Sequence, residues 1–220
     1  MSPVPKPAIF CYVTDRNSLA QDSSPAALLA SIRNAIAGGV DWVQIREKDL
    51  PTRELLSVAR EAIAAAVGTP TRILVNDRLD VALAAGSAGV HLGGESVPVA
   101  DVVRWCRAGH APAGFLVGAS CHHLEEAMAA EKAGADYIFF GPIFATPSKL
   151  LFGPPQGTER LAEVCRRVRI PVFAIGGVNG ENAANCFQAG AAGIAAIRLF
   201  QEAEDRAQLK AVLARLRKLG

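Results

Sequence analysis

The feature that most constrains this chain is alternation. Eight short apolar, β-rich runs recur at 9–13, 42–46, 72–75, 89–91, 115–119, 137–140, 172–175 and 193–197. Between them lie alanine-rich stretches such as 25–37, 52–67, 124–133, 159–168 and 181–189. Their apolar residues return at helical spacing, as Leu55, Val58, Ala59 and Ile63 do. Gly38, Gly68, Gly134 and Gly190 follow helical stretches as C-caps would. Buried strands alternating with helices imply a parallel sheet. Eight such units imply an α/β fold of the closed (β/α)8 TIM barrel type rather than an open, doubly wound sheet. A faint repeat supports this: AGSAGV (85–90), AGADYI (133–138) and AGAAGI (189–194) each read as helix end, tight turn and strand start. The tail 202–219 reads as an amphipathic helix, with Leu209, Val212, Leu213 and Leu216 on one side, closing the outer ring.

A length of 220 residues suits one barrel domain over 1–220, with residues 1–8 a flexible, Pro-rich N-terminal segment. The hydrophobic half of the composition excludes a wholly disordered chain. Lys plus Arg number 23 and Asp plus Glu 21, so nothing in the charge balance demands a nucleic acid or membrane partner. Apolar runs stay near strand length, so no transmembrane helix is expected, and the N-terminus lacks the apolar core of a signal peptide. The cysteines at 11, 106, 121, 165 and 186 are scattered and odd in number, with no CxxC spacing. They read as reduced, mostly buried thiols of a cytoplasmic protein.

In a (β/α)8 barrel the chemistry sits where strands end and helices begin. After strand 2 come Gln44, Arg46 and Lys48, which alternation sends to one side, although a salt-linked strand end would read the same way. Arg46 can fork onto phosphate oxygens and Lys48 can supply a point charge. Asn76 and Asp77 close strand 3, and Asp77 is either a Mg2+ ligand or a helix cap. After strand 4, Glu95 can join a metal site and Ser96 can cap a helix, while His91 reads as a packed polar residue. After strand 5, Ser120 can donate to a phosphate and His122 or His123 can move a proton. Cys121 beside them reads as a buried thiol rather than a nucleophile. The long loop after strand 6 carries Thr146, Ser148 and Lys149, enough to hold an anion. Backbone N–H groups at Gly177 and at the Ile197–Arg198 turn can build a phosphate nest. Together these groups point to phosphorylated substrates.

Several of these exits carry ordered text. QIREK (44–48), VNDR (75–78), GVHLG (89–93), GAS (118–120), DYIFFGPIFATPSK (136–149) and AIGGV (174–178) make the chain resemble the thiamine phosphate synthase family and the related thiazole tautomerases, over nearly its whole length. The resemblance implies an enzyme joining 4-amino-2-methyl-5-(diphosphomethyl)pyrimidine to hydroxyethylthiazole phosphate, with Mg2+ as cofactor. It implies that Gln44, Arg46, Lys48, Asn76, Ser120 and Lys149 hold the pyrimidine diphosphate. It implies that Asp77 would bind Mg2+; Glu95, one residue before the family's second acidic position, is read from its place as a further ligand. Thr146, Ser148, Gly177, Ile197 and Arg198 would hold the thiazole phosphate. Lys149, Ser120 and His122 are the catalytic residues expected on this footing. The partners expected are small molecules, with neither nucleic acid nor membrane, and a homo-oligomer stays open.

Three positions depart from the family text. Ser96 stands where the synthase pattern has a second acidic Mg2+ ligand, Arg198 where it has Ser, and Ser148 where Thr is usual. The first keeps an alternative open, a thiazole tautomerase aromatising a thiazole carboxylate phosphate by proton transfer at His122. The second keeps open a non-catalytic barrel that binds thiamine precursors, if Arg198 fills the thiazole phosphate pocket.

Overall fold

The computed structural model describes residues 7–19, 22–146, 154–203 and 205–219. Strands β1 (Ile9–Val13), β2 (Trp42–Ile45), β3 (Arg72–Asn76), β4 (Gly89–Leu92), β5 (Leu116–Cys121), β6 (Tyr137–Phe140), β7 (Val172–Ile175) and β8 (Gly193–Ala196) follow one another round a closed barrel. Every neighbouring pair is parallel, and β8 pairs with β1 from Ile9↔Gly193 to Tyr12↔Ala196. The helices of the outer ring are α1 (Pro25–Gly38), α2 (Thr52–Ala66), α3 (Leu79–Ala85), α4 (Val99–Trp105), α5 (Leu124–Lys132), α6 (Gly157–Arg167), α7 (Ala183–Gln188), α8 (Arg198–Gln201) and α9 (Arg206–Leu216). No described helix is long and apolar enough to cross a membrane.

Strand alternation divides the apolar side chains between two cores. Phe10, Tyr12, Ile138 and Phe140 face outward and pack under the helices. Cys11, Val13, Leu74, Tyr137, Phe139, Phe173 and Ala195 fill the barrel interior. The interior is crowded with rings: Trp42 lies 4.9 Å from both Tyr137 and Phe173, and Phe139 lies 5.6 Å from Phe173. Room for them comes from missing side chains on adjacent strands. A Cβ on Gly118 would sit 2.1 Å from the Tyr137 ring, and one on Gly193 would sit 2.8 Å from the Phe173 ring and 2.3 Å from the Ile9 carbonyl.

The expected strands are found within a few residues. β5 is the largest shift: it continues to Cys121, so Ser120 and Cys121 lie on the strand rather than after it. A helix was expected after β3 and after β4, but the bounds of α3 and α4 were not read, because seven residues hold too few turns to show a period; the π-helical turn Cys106–His110 was not anticipated. Gly38 is not a cap. It is the last residue of α1, and Gly39, with φ 90°, takes the left-handed position. Gly38 instead lets Leu209 of α9 approach, since a Cβ there would lie 2.8 Å from the leucine Cδ2. Leu209, Leu213 and Leu216 bury the inner face of α9. Arg217 then anchors the tail by donating to the carbonyls of Ala8 (3.2 Å) and Gly39 (3.0 Å) and to Asp41 (2.9 Å). Residues 1–6 of the expected flexible segment lie outside the described residues, whereas Ala8 is buried.

Gly118→Ala should cost about 1–3 kcal/mol, because the new methyl overlaps a ring enclosed on all sides. Gly94→Ala, with nothing within 4 Å of its Cβ position, should be nearly neutral. Urea unfolding of the two variants checks this; equal midpoints would contradict the packing.

Candidate active site at the barrel mouth

The exits of β2, β3, β4 and β5 lie side by side, and polar side chains bridge them. Gln44, buried on β2, donates from Nε2 to Asn76 Oδ1 on β3 at 2.9 Å. Asn76 Nδ2 donates to Asp77 Oδ2 at 2.8 Å. Gly93 N, after β4, donates to Asp77 Oδ1 at 3.1 Å and to Ser96 Oγ at 2.6 Å, and the Ser96 hydroxyl donates to Asp77. Asp77 takes φ 59°, unusual for a residue with a side chain. It does not cap α3, whose N-cap is Arg78. Nor does Ser96 cap α4, whose N-cap is Pro98. Partial burial pushes the Asp77 carboxyl up. The bonds from Ser96, Gly93 and Asn76 and the charge of Lys48 outweigh it and hold the group below the usual carboxylate range.

Arg46 and Lys48 flank this row; among the described residues the salt-linked members of their segment are Glu47 and Asp49, both paired with Arg16. Glu47 is only 5% exposed. Its Oε1 accepts from Thr14 Oγ1 at 2.6 Å, and its carboxylate accepts from Arg16 N at 3.1 and 3.2 Å. Thr14 Oγ1 in turn accepts from Arg46 N at 2.9 Å. Arg16 also donates from Nη2 to Asp49 at 2.8 Å. The turn after β1 is thereby tied to the turn after β2. Burial pushes the Glu47 carboxyl up, which the bonds from Thr14 and Arg16 only partly offset. Asp15, Asn17, Arg46, Glu47, Lys48 and Asp49 line a depression of about 290 Å³ here. A larger one, about 510 Å³, lies on the outer ring around Leu79 and Trp105 and contains none of the expected site residues.

Farther round, His91 is buried and spans Tyr137 OH (3.1 Å from Nδ1) and Ser120 Oγ (2.9 Å from Nε2). Burial pushes its pKa down to about 3, so the ring is neutral. Burial pushes the Cys121 thiol up to about 12, which fits an inert side chain. His122 is half-buried, with Nδ1 at 2.5 Å from the Gly141 carbonyl.

The exits of β6 and β7 are joined through Ile143 N to Ile175 O (2.9 Å) and Phe144 N to Gly176 O (2.9 Å). This contact needs Gly177 (φ 67°), where a Cβ would lie 2.7 Å from the Ala145 carbonyl. Thr146 is half-buried at the end of the same segment. Ser148 and Lys149 lie outside the described residues. Ile197 is the N-cap of α8, and the Arg198 side chain is 58% exposed, 3.9 Å from Glu202. Arg198 is thus not buried among the described residues of the barrel mouth.

Among the described residues no group of three or more His, Cys, Asp or Glu side chains could hold a metal. Ser96 rather than Glu95 meets Asp77; Glu95 is exposed, with no hydrogen bond or ion pair to another described residue. A Mg2+ ion needs one or two carboxylates and completes its shell with water and substrate phosphate oxygens. One carboxylate held ionised beside a hydroxyl fits that modest demand.

The sequence did not single out Glu47, Thr14 or Tyr137 for the site. Glu47 lies within QIREK, but its partners are more than 30 residues away, and Tyr137 reads as any core aromatic.

A closed (β/α)8 barrel with its cations, amides, hydroxyls and a lowered carboxyl gathered at the C-terminal strand ends belongs to the enzyme class of barrels. Within that class, the chain belongs to the thiamine monophosphate synthase family, whose model matches residues 10–200. It is 43% identical over 192 residues to thiamine-phosphate synthase of Methanocella arvoryzae, covering 86% of this chain and 88% of that protein. It is 37% identical over 206 residues to that of a Roseiflexus species, covering 92% and 84%. Among solved structures it is similar to thiamine phosphate pyrophosphorylase from Pyrococcus furiosus, with TM-score 0.82 and 33% identity over 96% of this chain and 95% of that one.

The Asp77 carboxyl, with its folded pKa below the unfolded value, contributes stability that is full above the ordinary carboxylate range and lost as pH falls through the folded pKa. Ser96→Ala removes one of the bonds that lower it and should move the Asp77 pKa upward. Carbon-13 NMR titration of the side-chain carboxyl reads this; an unmoved pKa would contradict the contact.

Proposed function

We propose that the chain is a thiamine phosphate synthase, coupling 4-amino-2-methyl-5-(diphosphomethyl)pyrimidine with hydroxyethylthiazole phosphate. The C–O bond to the diphosphate breaks, the diphosphate leaves with the electron pair, and the thiazole nitrogen forms the new C–N bond. No side chain needs to become covalently attached; the protein must neutralise the leaving group and orient the nucleophile.

The observation that carries this reading is the direction of the row Gln44–Asn76–Asp77. A carboxylate only accepts, so Asn76 must turn Nδ2 toward Asp77 and Oδ1 toward Gln44. Gln44 then spends its Nε2 on Asn76. Its Oε1 is buried, with no donor among the described residues. A buried acceptor of this kind takes a donor from water or from a ligand, and the exocyclic amine of an aminopyrimidine supplies one. The other end of the row is an ionised carboxyl under the influence of Lys48, suited to a diphosphate and its cation. On this reading Arg46, Lys48, Asn76, Ser120 and Lys149 hold the diphosphate, and Thr146, Ser148, Gly177 and the Ile197–Arg198 backbone hold the thiazole phosphate. Asp77 and Ser96 would hold Mg2+, with Glu95 within the same loop. The ion would supply charge neutralisation to the leaving diphosphate. Glu47 keeps the backbone between Arg46 and Lys48 fixed through Thr14 and Arg16.

One contact favours a second reading, a thiazole tautomerase. The Gly141 carbonyl only accepts, so Nδ1 of a neutral His122 carries the proton and Nε2 keeps its lone pair as a base.

Thiamine phosphate formation from both substrates with Mg2+, against a metal-free control, tests the first reading. Turnover should need the metal, and Asp77→Ala should lower kcat/KM more than about tenfold while leaving the far-UV circular dichroism intact. Unchanged coupling in Asp77→Ala would remove the metal assignment. If folded protein aromatises the thiazole carboxylate phosphate instead, and His122→Ala slows that step by about a hundredfold, the second reading holds.

A further inference from the structure

The interior of the barrel holds a second directed row, Tyr137–His91–Ser120. Tyr137 is 1% exposed, and its phenol bonds to His91 Nδ1 at 3.1 Å. A buried O–H left without an acceptor is costly. If Nδ1 carried the imidazole proton, it would donate to the phenol oxygen and leave the phenol hydrogen with no acceptor among the described residues. The phenol therefore donates and Nδ1 is the bare nitrogen. A neutral imidazole then carries its proton on Nε2, which donates to Ser120 Oγ at 2.9 Å. With that lone pair used, the Ser120 hydrogen is turned away from His91 and toward the half-buried mouth.

We propose that Tyr137 and His91 are positioning residues that fix the Ser120 hydroxyl as a hydrogen-bond donor toward the anionic, diphosphate-bearing end of the substrate. This rests on the synthase reading for the substrate's identity, but the direction of the row does not. Packing holds each member in place. The His91 ring lies 4.2 Å from Phe139 at 34° and 5.5 Å from Tyr137. Gly118, opposite His91 in the β4–β5 register, leaves the space that Tyr137 fills. Burial holds the phenol protonated, so the proton at the head of the row stays in place.

Two readouts test the proposal without turnover. Nitrogen-15 NMR of histidine-labelled protein, assigned with His91→Gln, should show Nδ1 of His91 unprotonated and Nε2 protonated. The reverse tautomer overturns the row. Binding of inorganic diphosphate with Mg2+, measured by calorimetry, should weaken about threefold to tenfold in Ser120→Ala and to a similar degree in Tyr137→Phe. Combined with Ser120→Ala, Tyr137→Phe should add nothing, since its effect passes through the hydroxyl. His91→Gln, which can still donate to Ser120, should retain more affinity than His91→Leu. Additive losses, or equal affinities for His91→Gln and His91→Leu, overturn the positioning role. Failure of the coupling assay with both readouts as expected would overturn the synthase reading and leave this one standing.

Discussion

The pairing of β8 with β1 is the constraint on which everything else rests. A parallel sheet with free edges would leave unpaired N–H and C=O groups at both sides. Four residue pairs, from Ile9↔Gly193 to Tyr12↔Ala196, remove those edges. Closure also gathers the C-terminal ends of all eight strands into one ring. Gly193 makes it feasible, because any side chain there would strike the Ile9 carbonyl and the Phe173 ring at once. With the ring closed, Asn76 stands level with His91, and His91 level with Gly118. The polar rows at the mouth follow from that register.

Much of this was legible in the chain and some was not, for reasons of distance. β1, β6 and β7 fall where the apolar runs end, because a strand buried on both faces has no polar residue to blur its limits. The limits of α3 and α4 were hidden because two turns of helix cannot display a period. Arg46, Lys48 and Asp77 stood out as polar groups directly following apolar strands. Ser96 read as a lost ligand or a helix cap, since its partner lies 19 residues back and becomes its neighbour only through the β3–β4 pairing. Glu47 stands between two cations in the chain, and nothing local marks its bonds to Thr14 and Arg16.

Direction, more than composition, organises the mouth. Each interior row begins at a group with one chemical option: a carboxylate that can only accept, or a phenol whose proton has one outlet. The choice passes along neutral amides and an imidazole, which would otherwise be ambiguous. A bare acceptor emerges at Gln44 Oε1. Such groups are oriented before any ligand arrives, so little reorganisation is left for the moment of binding. Glu47 does the same for the backbone, tying two turns into one unit.

Gly118 and Tyr137 carry a historical consequence. A methyl at 118 overlaps the ring at 137, so each position sets the cost of change at the other. The less costly order of change shrinks 137 first, through an intermediate with a hollow barrel centre; the reverse order passes through an overpacked one. The pair therefore biases the order in which this interior can drift.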